Sequence, residues 1–218
     1  MASVWVWDTK SRRYRNSETG RWISHSKVAQ LRNDFAATQR QWADTAASAL
    51  SRGDWTVRRW ELEIRDRLKR VYLSEYMLGR GGKNAMTSSD YGRVGSMLKE
   101  QYDFLRSFAL DIQDGTMSEA QIAARTQMYH ESATQAFERG KVAAYSGDLN
   151  LPAYPADGRT RCRARCKCRW DIRETKTAWK AYWRRYGKAE SCQDCIDRER
   201  LYNPYIVSKV AAEQGHAA

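Results

Sequence analysis

Apolar and polar positions recur with two different periods along this chain, and the changes of period mark its parts. Near the start Val4, Trp5, Val6 and Trp7 form a bulky run. Tyr14 to Ile23 then reads as strand, turn, strand, because the polar run Asn16-Ser17-Glu18-Thr19 ends in Gly20, which can take the positive φ of a hairpin loop. An isolated hairpin is marginal in water, so this segment either docks on the rest of the chain or is an arm that orders on a partner. From Ser24 or Ser26 as a cap, Val28, Leu31, Phe35, Trp42 and Leu50 recur at mostly helical spacing until Gly53. A second helix is expected from Asp54, with Trp60, Ile64, Leu68 and Val71 on one face and a flexible joint at Gly79-Arg80-Gly81-Gly82. A third, capped by Ser88 or Ser89, carries Val94, Leu98, Leu105, Phe108 and Ile112 and stops at Gly115. Ser118-Glu119-Ala120-Gln121 is a capping box for a fourth, which carries Ile122, Tyr129, Ala133 and Phe137 and fades at Tyr145-Ser146-Gly147.

The texture changes at Leu151-Pro152-Ala153-Tyr154-Pro155-Ala156-Asp157-Gly158, which cannot be helix. Beyond it, Arg161 to Arg173 reads as a short strand or ribbon with Cys166 and Cys168 on one face and Lys167 and Arg169 on the other. Thr177 to Lys188 reads as a short helix or strand, Ile196 to Leu201 as a helical turn ended by Pro204, and the last residues as frayed. The expected fold is mainly α: a helical bundle or elongated helical hairpins over residues 26–150, an N-terminal β-hairpin arm over 1–25, and a small Cys-rich module over 151–218.

All five cysteines fall in that module, as Cys162-x3-Cys166-x-Cys168 and Cys192-x2-Cys195. Two short thiol clusters joined by a loop are what a tetrahedral Zn²⁺ site needs, since each cluster supplies two ligands and the metal closes the loop. Cys192 and Cys195 have knuckle spacing, and Cys162, Cys166 and Cys168 compete for the two remaining places. Disulfides would suit an oxidising compartment, but MASVWVW is not a signal peptide and no run of 18 apolar residues exists to span a membrane, so a reducing compartment and no membrane are expected. Five unrelated structural thiols are the bland alternative, against which their clustering speaks.

Net charge sharpens the picture. The chain carries +12 with a pI near 9.6, which suggests an anionic partner. Arg161 to Lys188 holds eleven Lys/Arg against Asp171 and Glu174, and Lys10 to Arg32 holds seven against Glu18, so two basic ends bracket a near-neutral middle. Arg163, Arg165, Lys167 and Arg169, interleaved with Trp170, Trp179 and Trp183, read either as a nucleic-acid track with stacking indoles or as the partner-facing side of a zinc-held module. No catalytic constellation stands out. The three histidines are scattered, H-E-x-x-H, G-x-S-x-G and the phosphate-loop order are absent, and an all-thiolate zinc site leaves no open position for water, so no enzyme is expected.

The order Leu151-Pro152-x-Tyr154-Pro155-x-Asp157-Gly158-x-Thr160-x-Cys162-x3-Cys166-x-Cys168-x-Trp170, then Glu190-x-Cys192-x2-Cys195-x2-Arg198 and Asn203-Pro204-Tyr205, resembles the minor head, or head-morphogenesis (Mu F-like), proteins of tailed bacteriophages. Arg13-Tyr14-Arg15, Gly20-Arg21-Trp22-Ile23-Ser24 and Gly115-Thr116-Met117-Ser118 resemble stretches of the same group. The histidine that many relatives place before their cysteine pair is missing, and the toxin or transferase domain fused to some is not expected here. The resemblance implies a non-enzymatic virion component, assembled in the host cytoplasm. It would lie in the head in several copies around a ring, bound to the portal protein and other head proteins, near packaged DNA, and assist head assembly or genome packaging and delivery. Trp5, Trp7, Tyr14, Arg15, Arg21 and Trp22 are then the expected portal-binding arm. A zinc-containing nucleic-acid-binding protein, regulatory or accessory to packaging, is the alternative.

Overall fold

Helices form where the apolar residues recur at helical spacing, and the first four begin where a side-chain oxygen meets the free N–H groups of a first turn. The computed structural model describes residues 5–8, 11, 13–147, 149–187 and 191–209. In it α1 spans His25–Ser51 with Ser24 accepting from Lys27 N–H, and α2 spans Val57–Arg80 with Thr56, rather than Asp54, as its cap. α3 (Ser88–Gln113) is capped by Thr87, one residue ahead of the serines expected to do so, because Thr87 and Asp90 bond reciprocally in a capping box. α4 (Glu119–Glu131) opens on the expected box of Ser118 and Gln121.

The expected fourth helix is two. Ser132 donates to the Tyr129 carbonyl at 2.6 Å and contacts the Tyr72 hydroxyl at 2.7 Å, and the backbone tightens to Ala133 N–H→His130 O and Ala136 N–H→Ala133 O before α5 (Thr134–Ala143) resumes. This bend lays α5 along α2. Gly79 and Gly140 meet at that crossing: a Cβ on Gly140 would overlap the Tyr76 carbonyl, and one on Gly79 the Phe137 carbonyl. The stretch from Gly79 to Gly82 is therefore no flexible joint. Gly81 and Gly82, at φ 104° and 103°, end α2 with Gly82 N–H→Met77 O at 2.8 Å, and both are buried.

Trp60, Ile64, Leu68, Tyr72, Tyr76, Leu105 and Phe108 form the core of this helical body. The N-terminal strands β1 (Trp5–Asp8), β2 (Arg13–Asn16) and β3 (Trp22–Ile23) make an antiparallel sheet that docks on it. Tyr14 is buried with Val28, Leu78 and Phe137, and its hydroxyl reaches the Leu78 carbonyl. Of the two readings of this segment, docking is the one observed.

A second core lies in the module, between α5 and an antiparallel sheet ordered β4-β5-β6. β4 is Arg169–Glu174 and β5 is Ala178–Arg184, so the stretch from Thr177 is strand. β6 is Tyr205–Ser208, paired with β5 where frayed chain was expected, and α6 covers Gln193–Leu201. Leu149, Leu151, Ala153, Tyr154 and Ala156 pack beneath the sheet with Val142 of α5, so the proline-bearing segment is part of this core. Among the described residues no helix is long and apolar enough to cross a membrane.

Candidate metal centre

Two knuckles bring the thiols together. In the first, Cys162 precedes a 3₁₀ turn over Arg163–Arg165, closed by Arg165 N–H→Cys162 O at 2.9 Å, and this turn rather than a strand returns the chain to Cys166. Arg163 takes a left-handed φ of 46° to make it. In the second, Cys192 caps α6 and Cys195 sits in its first turn, with Cys195 N–H→Cys192 O at 3.0 Å. Thiolates there lie at the positive end of the helix dipole. Asp194, between these two cysteines, accepts from Arg161 N–H at 2.7 Å and so ties one knuckle to the other.

The sulfurs of Cys162, Cys166 and Cys195 lie within 4.8 Å of one another, and this group could hold a metal ion. Cys162 and Cys195 are 3.8 Å apart, Cys166 and Cys195 3.7 Å, and Cys192 and Cys162 3.6 Å. Sulfurs at about 2.3 Å from a tetrahedral metal stand about 3.75 Å apart, so the separations of Cys195 from Cys162 and Cys166 suit a single ion. A disulfide would need about 2.05 Å, and all five thiols are free. Cys168 lies beside the trio, buried, as the fifth thiol. The thiols of Cys162, Cys166 and Cys195 are donors that suit a soft or borderline cation.

Compared with models of protein families, with curated proteins and with solved structures, the chain matches none.

Protonation shows why such a site favours a cation. The side chains of Cys166 and Cys168 drive the Cys195 thiol far upward, and burial pushes Cys162 up to about 11. Cys168 goes the other way, down to about 4, because Cys166 and then Cys195 hydrogen-bond to it. Thiols this close cannot all ionise unaided, and a divalent ion removes the conflict by binding them as thiolates.

Around the cysteines, residues that sequence reasoning valued for spacing acquire structural roles. Asp157 accepts from Tyr154 N–H at 3.1 Å and Arg159 N–H at 3.0 Å and pairs with Arg198 at 3.8 Å. Thr160 touches the Cys162 sulfur at 3.1 Å, and Trp170 donates its indole N–H to the Ala153 carbonyl at 2.8 Å. Asp194 was overlooked; its position inside Cys192-x2-Cys195 was the available signal.

The stacking role of the tryptophans is overturned. Trp170, Trp179 and Trp183 are 1%, 7% and 0% exposed, because strand alternation turns them inward onto α5 and the segment below it. Arg163, Arg165, Lys167 and Arg169 are all exposed, and Arg165 pairs with Glu131 of α4 at 3.1 Å. At the N-terminal sheet Tyr14 is buried and so unavailable to a partner, whereas Arg15, Arg21 and Trp22 are exposed, with Arg13 and Arg15 over the Trp22 ring at 5.5 and 6.0 Å. The side chains of Trp5 and Trp7 lie outside the described part of the molecule.

Proposed function

We propose that this chain is a zinc-bearing minor structural protein of a phage head, bound to the portal and the inner capsid and assisting head assembly or genome packaging and delivery, and not an enzyme. The observation that carries the reading is that the residues of the head-protein resemblance, from Tyr154 and Asp157 through the cysteines to Arg198, converge on one thiol-lined module. In this reading Zn²⁺ is held by Cys162, Cys166, Cys192 and Cys195, and it supplies a structural cross-link rather than a reactive centre. The surrounding residues pass that cross-link to the helices. Glu138 of α5, paired with Lys141, accepts from Trp170 N–H at 3.0 Å, and Glu131 of α4 holds Arg165 beside the first knuckle. The exposed Arg15, Arg21 and Trp22 are the remaining described candidates for the portal contact, since guanidinium groups and indoles serve protein interfaces.

Mass spectrometry of purified virions and proheads tests the assignment, with this chain expected in both at a copy number that follows the portal ring. The exposed basic row beside the cysteines favours a second reading, a zinc-containing nucleic-acid-binding regulator. Absence from particles, together with binding to one defined nucleic-acid sequence, would establish that reading instead. Elemental analysis of purified protein is expected to give one zinc per chain.

A further inference from the structure

The face of the β4–β5 ribbon opposite the tryptophans has no role so far. Register puts Arg169 opposite Arg184 and Arg173 opposite Lys180, with Asp171 opposite Tyr182 between them. Alternation turns all six away from the core. Residues directly opposed across two strands have Cβ atoms about 5 Å apart, and like charges so opposed destabilise a sheet. Here two such rungs occur on one ribbon. Among the described residues the face has one carboxylate, Asp171, shared between Arg173 at 3.5 Å and Arg184 at 3.9 Å. The guanidinium groups of Arg173 and Arg184 also lie over the Tyr182 ring at 4.9 and 4.8 Å, which holds them in place instead of letting them sweep through solvent. Lys167, over the half-exposed Tyr186 ring at 5.3 Å, carries the charge on toward the cysteines.

We propose that this face binds the phosphate backbone of duplex DNA without reading its sequence. Phosphates placed between the opposed cations would relieve both rungs at once, and positioned guanidinium forks suit phosphate oxygens. The rungs are four residues apart, about 13 Å at strand rise, a span over which duplex DNA presents several phosphates. A single strand is less well served, because the indoles that would stack on its bases are all on the buried face. An acidic protein is also less well served, because protein interfaces centre on dry apolar anchors and this face has charge at its centre, with the exposed Ile206 of neighbouring β6 at its rim. The inference does not depend on whether the chain resides in a phage head.

The test is binding of the full, metal-loaded chain to a mixed-sequence duplex, followed by fluorescence anisotropy across a salt series. Wild type is expected to show a log–log salt slope of about −4, one phosphate for each of the four cations. Arg173→Ala with Lys180→Ala is expected to bring the slope to about −2 and to weaken binding at fixed salt at least tenfold for every sequence, with metal content and melting temperature unchanged or raised. Lys180→Gln alone should change the slope by about one. Arg58→Ala with Lys69→Ala, which removes equal charge from exposed positions of α2, should leave the slope near wild type. An unchanged slope in the ribbon variants overturns the proposal. So does equal weakening by the α2 variant, tighter binding of single-stranded DNA than of duplex, or displacement of the duplex by polyglutamate at equal charge concentration.

Discussion

The helical body and the cysteine module bury aromatic residues equally well but are held together differently. In the body Trp60, Ile64, Leu68, Tyr72 and Phe108 pack between helices of 24 and 26 residues, so stability is spread over many side chains. In the module a sheet with strands of 6, 7 and 4 residues and a helix of 9 close over three indoles, and five thiols stand where more apolar residues would be needed. A small fold of this kind relies on a few strong links, as small domains with metal sites generally do. The body should therefore weaken gradually with substitution, and the module abruptly.

Cys162→Ser should give the largest effect, because the zinc proposed for this site would contribute on the order of 10 kcal/mol to a small fold and Cys162 belongs to the central trio. Elemental analysis should show the metal lost, and fluorescence from Trp170, Trp179 and Trp183 should shift to the red while far-ultraviolet dichroism keeps the helical signal. Cys168→Ser should retain one metal per chain. Metal retained by Cys162→Ser, or lost by Cys168→Ser, would reverse the assignment of central and reserve thiols.

Gly140→Ala comes next and strikes both regions. The added methyl meets the Tyr76 carbonyl, so α5 must move off α2, at a cost of about 3 kcal/mol. Because α5 contributes Ala136 to one core and Val142 to the other, urea unfolding followed by helical signal and by metal release should shift together. Separate shifts would mean that the two cores are less coupled than their shared helix implies.

Acid should distinguish the body through His130. It is buried against Trp42 with rings 5.7 Å apart, and neither ring nitrogen has a hydrogen-bond partner among the described residues. Burial, and then Arg67, lowers its pKa from 6.5 to about 4. The unfolded chain therefore takes up a proton first, and stability that is complete above pH 6.5 is lost as pH falls toward 4, by about 3 kcal/mol for this group. His130→Phe should flatten the melting temperature across that window; an unchanged pH dependence would remove His130 as the cause. The smallest effect is expected from Arg165→Ala, which breaks the largely exposed pair to Glu131 and should cost about 0.5 kcal/mol without releasing the metal, as denaturant titration with elemental analysis would show.

Much of this organisation was legible in the residues alone. Helical spacing from Val28 to Phe137, the box at Ser118 and Gln121, the change of texture at Pro152 and the gathering of all five cysteines are local signals, and local backbone and capping preferences act within a few residues. What only the tertiary structure decided depends on partners distant in the chain. Gly79 to Gly82 read as a loose joint because nothing nearby shows that Gly79 meets α5 some sixty residues on. Tyr205–Ser208 read as frayed because its partner strand lies across α6. Alternation separated tryptophans from arginines along β4 and β5, but only Val142 and the segment from Leu149 to Ala156, packed against one side, determined that the indoles face inward and the cations outward. The same holds for the thiols: spacing nominated five, and the turn at Arg163–Arg165 together with the first turn of α6 placed Cys162, Cys166 and Cys195 at the centre, because ligation is settled by distances in space that sequence spacing does not contain.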